Sequence, residues 1–224
     1  MRAVAQALFD FEYALEILPS LLAATVVTFQ ATIGGFALAL VGGLFLAMLR
    51  MSPWRWVRRI TSGFVEVVRS TPLLIQLFVS FYIVMPRLGL PSVALVAGIL
   101  GLGIHYSTYF SEVYRAGITG VPRGQWEAAT ALNMTASQKW TRIILPQAIP
   151  PVIPALGNYL ISMFKETPVL FVITVVELFA TALQIAGKNY RFYEPIILVG
   201  MIFFALSYPA SLLVRRLEAR LARP

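Results

Sequence analysis

The chain contains no cysteine and a single histidine, His105. Disulfide frameworks and thiolate metal sites are thereby excluded, and one imidazole cannot assemble a histidine-based metal centre. Charge is scarce too. Asp, Glu, Lys and Arg make up 12% of the 224 residues, about half of the roughly 25% usual for a soluble domain. That balance argues against a disordered chain, a fibrous repeat or a polar-surfaced enzyme. No Gly-x-x-x-x-Gly-Lys-Ser/Thr phosphate loop occurs, so ATP is not bound by that route. The lone histidine has no Ser–Asp partnership from which to build a nucleophile. The expectation is a non-enzyme that needs no cofactor. What the chain does have is apolar mass: 58% hydrophobic residues and a mean hydropathy of +0.78. The class that remains is integral membrane protein.

A helix rising about 1.5 Å per residue needs about 20 mostly apolar residues to cross roughly 30 Å of hydrocarbon. Uncharged runs place five such spans, at 17–49, 60–86, 88–115, 143–176 and 195–216. The second passes backward through Glu66 and Arg69. The fourth takes in the ten uncharged residues after Lys165 and Glu166, with a break expected near Pro168. Soluble core helices are shorter and interrupted by polar faces. A cleaved signal peptide would have neither so long an apolar run nor an acidic segment before it. The expected fold is an all-α, multi-pass membrane protein.

Orientation follows from the basic residues. Arg50, Arg55, Arg58 and Arg59 follow the first span. Arg115, Arg123, Lys139 and Arg142 lie between the third and fourth, and Arg215, Arg216, Arg220 and Arg223 follow the fifth. The other side carries Arg2, Arg87, Lys188 and Arg191 among Asp10, Glu12, Glu16, Glu177 and Glu194. This bias puts the N-terminus outside and the C-terminus in the cytoplasm. A pI near 10.1 also suits nucleic-acid binding, but arginines at span ends meet anionic headgroups instead. Membrane lipid is the expected partner and nucleic acid is not.

One connection is long. Segment 116–142, on the cytoplasmic side, holds Val121-Pro-Arg-Gly-Gln-Trp-Glu-Ala-Ala-Thr-Ala-Leu-Asn133 and then Met134-Thr-Ala-Ser-Gln-Lys-Trp-Thr-Arg-Ile-Ile-Leu-Pro146. Pro122 suits the first turn of a helix, and Glu127 is expected near its favourable N-terminal end. Ala128, Ala129, Thr130 and Ala131 are small, so a partner surface can come close. Asn133 is expected to end the helix in a left-handed conformation. Thr135 and Gln138 have capping-box spacing and would start the next one.

These residues resemble the EAA loop of ABC importer permease subunits: Glu-Ala-Ala, three residues, Gly, nine residues, Ile, one residue, Leu-Pro. Glu127-Ala128-Ala129, Ile143, Leu145 and Pro146 stand at that spacing, with Asn133 in place of the glycine. The chain is most similar to the polar amino acid group, the histidine/glutamine/arginine/opine permeases. Arg69-Ser-Thr-Pro-Leu-Leu-Ile-Gln76, Glu112-Val-Tyr-Arg115, Val121-Pro-Arg-Gly-Gln-Trp126, Pro146-Gln-Ala148, Pro154-Ala-Leu-Gly-Asn158 and Lys165-Glu-Thr167 match its recurring stretches. The resemblance implies a type I importer fold in the bacterial inner membrane. It implies an ATP-binding cassette ATPase dimer, an extracytoplasmic solute-binding protein and a second permease subunit, self or paralogue. It assigns Glu127, Ala128, Ala129 and Asn133 to ATPase coupling.

Polar groups at membrane depth should face protein or a wet cavity. Glu66 and Arg69, three apart, could pair on one helix face. His105, Tyr106, Ser107, Tyr109 and Glu112 form one polar run, and Asn158, Tyr159, Ser162, Lys165, Glu166 and Thr167 another. Helix-to-helix hydrogen bonding accounts for Ser70, Ser107 and Ser162. By resemblance to amino acid importers, the candidate substrate path comprises Arg69, Gln76, His105, Tyr109, Asn158, Lys165 and Glu166. The expected cargo is a polar amino acid or related zwitterion. His105-Tyr106 departs from relatives and extends that range to compatible solutes such as ectoine. A secondary transporter or channel subunit is the alternative, although no internal repeat supports it.

Overall fold

The computed structural model describes residues 9–221; Arg2 and Arg223 lie outside them. The described residues are nearly all helical and contain no strand. Helix α1, Phe11–Arg50, rises about 60 Å and is capped by Asp10, whose carboxylate accepts from Glu12 N and Tyr13 N. Helices α2, Arg55–Arg69, and α3, Leu73–Arg87, follow. Helix α4 is Ala94–Thr119 and α5 is Arg123–Ala131. Helix α6, Ala136–Ile173, is α-helical over Leu145–Glu166 and tightens into a 3₁₀ turn over Thr167–Ile173. A short α7, Leu178–Asn189, and α8, Tyr193–Leu221, complete the chain.

Four of these helices, α1, α4, α6 and α8, are long and apolar enough to cross a membrane, and the α2–α3 pair makes a fifth if counted as one span. In the apolar window of α8 only 11% of residues are buried. A surface that apolar is stable only against a non-aqueous neighbour. Large side chains such as Val41, Phe45, Met201 and Phe204 point outward from α1 and α8.

The stretch expected as one span over 60–86 is not one helix. Pro72 lacks an N–H and drives Thr71 from helical space, and α3 leaves α2 at 104°. Two other prolines are absorbed more gently. Pro86 and Pro146 each follow a π-helical turn, Ser80–Val84 and Lys139–Ile144. The wider turn relieves the clash between the proline ring and the carbonyl four residues back.

The core is organised by α1 and α4, which run side by side in the same direction. Every fourth residue of α1, namely Ala31, Gly35, Ala39, Gly43 and Ala47, is small and buried. With so little side chain between them the backbones come close, which is how helices associate where no hydrophobic effect separates protein from solvent. A Cβ on Gly43 would collide with the Cβ of Phe110, and one on Gly35 would lie 3.0 Å from that of Leu102. Helix α6 runs antiparallel to α4 and meets it at Gly117, where a Cβ would sit 2.5 Å from Val152 and 2.8 Å from the Ala148 carbonyl.

Two polar anchors fix α7, which the span assignment did not foresee. Glu177, fully buried, caps it by accepting from Phe179 N and Ala180 N. Thr28 Oγ1 accepts from Leu178 N at 3.2 Å. At the end of the bundle remote from α5, Arg191 bridges Asp10 and Glu194 at 3.2 and 2.8 Å. Its guanidinium also lies 4.3 Å from the centre of the Tyr13 ring.

Candidate functional site

Two features concentrate polar chemistry, a hairpin at one end of the bundle and a recess beside the helix breaks. The hairpin is α5 and the start of α6. Its turn is a Schellman motif: Met134 N donates to the Ala129 carbonyl and Asn133 N to that of Thr130. Asn133 has φ 53°, the left-handed conformation expected of it, which asparagine tolerates better than other non-glycine residues. Thr135 and Gln138 form a complete capping box. Trp126 and Trp140 meet edge to face at 5.3 Å between ring centres, and Lys139 Nζ donates to Thr130 Oγ1 at 2.8 Å.

The four residues assigned to coupling do not share a face. Glu127, Ala128 and Asn133 are exposed, with Leu132, 75% exposed, beside them. Ala129 is 2% exposed, so its small side chain serves close approach to its own chain and not to a partner. Pro122 occupies the cap and α5 begins at Arg123. Glu127 therefore stands beyond the first turn, where the helix dipole adds little.

The recess holds about 630 Å³ and is bordered by Arg69, Pro72, His105, Tyr109, Lys165, Glu166 and Pro168 among others. It lies between two interruptions of regular helix, the α2–α3 corner at 70–72 and the α-to-3₁₀ change at Thr167. Irregular backbone at membrane depth is tolerated where it lines a cavity or is buried in protein. Adjacent helix residues point about 100° apart, yet Lys165 and Glu166 both border the recess at the point where the helix changes type. Glu166 accepts from Tyr106 OH at 2.9 Å. Tyr106, Tyr109 and Tyr159 form an aromatic cluster, and the Arg69 guanidinium lies 5.0 Å from the centre of the Tyr109 ring.

Gln76 stands behind this wall. Its amide oxygen is 3.0 Å from His105 Nδ1, and its amide nitrogen donates to the carbonyls of Val68 and Thr71. It thus ties up carbonyls freed at the corner and orients His105. Asn158 is not brought to the recess. It borders a separate hollow with Pro150, Pro154 and Glu218, beside the end of α8.

Arg69 does not pair with Glu66 as its spacing suggested. It donates to Glu112 Oε1 at 3.2 Å, and Arg50 Nη2 reaches the same oxygen at 2.8 Å. Arg115 contacts the other oxygen, Oε2, at 3.0 Å. One carboxylate therefore joins α1, α2 and α4 just beside the recess. Sequence reasoning placed Glu112 in a polar run and gave it no role. Its signal was that three arginines end or enter spans at one depth with one acid among them.

Comparison with known proteins identifies the family. Residues 39–223 match the family described as binding-protein-dependent transport system inner membrane component. A probable amino-acid ABC transporter permease protein of Sinorhizobium fredii is 44% identical over 214 residues, covering 96% of this chain and 92% of that protein. The glutamate/aspartate import permease protein of Escherichia coli O157:H7 is 34% identical over 222 residues, covering 96% and 99%. A crystal structure of an amino acid ABC transporter with histidines aligns with a TM-score of 0.88 at 35% identity, over 95% of this chain and 99% of that one. Since the family match runs from within α1 to the last residues of the chain, this protein belongs to the binding-protein-dependent transport system inner membrane components.

Proposed function

We propose that the chain is a permease subunit of an ATP-driven ABC importer that carries a polar amino acid or related zwitterionic solute into the cytoplasm. The observation that supports this best is the charge arrangement of the recess. Arg69 and Lys165 stand on its wall with Glu166, so both poles of an α-amino acid find a counter-charge. Its volume, about 630 Å³, falls in the roughly 300–1,000 Å³ range of small-molecule sites. The names of the relatives support an amino acid as cargo, and ectoine belongs to the same zwitterionic class.

In this reading the N-terminus is outside and the hairpin end is cytoplasmic. An ATPase pair docks there against Glu127, Ala128, Leu132 and Asn133, while a solute-binding protein delivers cargo to the opposite end. A second permease subunit closes the open side of the recess. ATP binding shifts the permease only through contacts that differ between its two states, and a hairpin braced by Trp126 and Trp140 transmits that difference as a rigid-body movement.

The test is Glu166→Gln in the complex with its ATPase and binding protein, reconstituted in vesicles with glutamate, glutamine, arginine and ectoine as trial solutes. Basal ATP hydrolysis should persist while solute-stimulated hydrolysis and uptake fall by at least tenfold. Undiminished uptake in the variant would remove the recess from the transport path.

A further inference from the structure

Helix α2 presents three distinct faces. Its residues advance by about 100° each, which puts Thr61 and Val65, both buried, against the bundle. A second face carries Trp56, Ile60, Phe64 and Val67, which are 73%, 71%, 44% and 63% exposed. A third carries Arg55, Arg58 and Arg59, all exposed and, among the described residues, in no ion pair. Trp54, 73% exposed, precedes the helix.

This helix does not have the character of half a span. Its 15 residues rise only about 22 Å, and α3 departs at 104°, so the two cannot both follow the membrane normal. Helix α3 pairs with α4 through Gln76 and His105, and α2 turns away from that direction. An apolar stripe beside a cationic one, flanked by tryptophan, is the pattern of a helix lying in the bilayer interface.

We propose that α2 is an interfacial helix that binds anionic phospholipid headgroups. Trp56, Ile60, Phe64 and Val67 enter the acyl boundary, while Arg55, Arg58 and Arg59 take the phosphates. Charge selects lipid over a second copy of the chain as the occupant. A net charge of +8 and three unpaired arginines oppose packing one α2 against another, whereas an anionic leaflet attracts each arginine. The site is mechanically relevant because the last residue of α2 is Arg69, which borders the recess and shares Glu112.

The test uses the full chain in vesicles of phosphatidylcholine with increasing phosphatidylglycerol, one of the two lipids carrying brominated acyl chains that quench tryptophan. The Trp54→Phe/Trp56→Phe variant identifies the α2 contribution to the quenching. Brominated phosphatidylglycerol should quench that component at a lower mole fraction than brominated phosphatidylcholine. In Arg55→Gln/Arg58→Gln/Arg59→Gln the preference should weaken by roughly fivefold per arginine removed. Equal quenching by the two lipids in the unaltered chain, or a preference that survives the triple substitution, would overturn headgroup binding. No quenching of the Trp54–Trp56 component by either lipid would overturn the interfacial placement and leave protein as the cover of that face.

Discussion

Replacing Glu112 by glutamine keeps the side chain's shape and removes the charge that three guanidiniums share. The cost can be divided by burial. Arg69 and Arg115 are 37% and 42% exposed in their side chains, near the limit at which an ion pair contributes about 0–1 kcal/mol. Arg50 is 12% exposed and makes the shortest contact, 2.8 Å. Its Nε is buried without a hydrogen-bond partner, so it has little means of recovering solvation. Stripping the partner from a buried charge costs about 3–5 kcal/mol, and Arg50 stands close to that case. A loss of about 2–4 kcal/mol follows, most of it through Arg50. At roughly 2–4 °C per kcal/mol for a chain of this size, the midpoint of unfolding should fall by about 5–15 °C. Thermal unfolding of the purified chain in nanodiscs, followed by tryptophan fluorescence, measures it. Arg69→Gln should cost much less than Arg50→Gln, and Glu112→Gln combined with Arg69→Gln should cost less than the sum of the two. A midpoint for Glu112→Gln within about 1 °C of the unaltered chain would refute the assignment of Glu112 as the junction of α1, α2 and α4, as would equal costs for the two arginines.

Two further predictions concern the opposite ends of the bundle. Asn133→Gly should leave the hairpin intact, because the turn needs φ near 53° and glycine adopts it freely. Asn133→Val should cost about 1–3 kcal/mol and speed limited proteolysis within the hairpin by about tenfold or more; equal cleavage of the two variants would contradict the turn geometry. At the other end, the Asp10 carboxyl is held below its ordinary value of 3.8, first by the Tyr13 N–H it accepts and then by Arg191. A depressed carboxyl stabilises the fold above that ordinary value, and the contribution fades as pH falls through the lowered one. The difference in melting temperature between the unaltered chain and Asp10→Ala should therefore be constant from neutral pH to about pH 5 and shrink below about pH 4. A difference independent of pH would mean that Asp10 acts without its charge.

How much of this was legible beforehand depends on the range of the interactions. The apolar runs gave the helices, because a bilayer imposes a length that a one-dimensional count can read. The hairpin was legible for a similar reason: Asn133 and the Thr135–Gln138 box are local signals, and their partners lie within five residues. The direction in which Ala129 points was not, since it depends on α5 lying over the bundle at Val121 and Ile144. Glu66–Arg69 was plausible as a local pair, but Glu112, 43 residues away, offered Arg69 a better-placed carboxylate. The span expected over 60–86 passed straight through Pro72, where the chain turns by 104°, because a proline in the sequence does not by itself distinguish a kink from a corner. Asn158 was grouped with Lys165 by proximity in sequence. Seven residues is nearly two full turns, which keeps the two roughly on one side, yet α8 lies over the Asn158 level and not over the recess.

The rigid and irregular parts of the chain are segregated, and this bears on how the recess can respond to the hairpin. Along α1 and α4 the small residues leave no slack: Gly43 and Gly103 are positions where even a methyl group would collide with Phe110 and Leu38, so the two helices move as one body. Helix α6 joins them at Gly117, next to the start of the hairpin. Against that body stand the corner at 70–72 and the 3₁₀ segment after Glu166; the 3₁₀ segment is tied to α3 by Tyr82 OH, which donates to the Val172 carbonyl at 3.0 Å. Tyr109 and His105 on α4 and Glu166 on α6 belong to that body, whereas Arg69, at the end of α2, meets it through Glu112 and the face of the Tyr109 ring. Lys165 and Glu166 stand side by side on α6, so Arg69 is the charged group on the recess wall that is held by partly exposed side-chain contacts, which can change without repacking a helix interface.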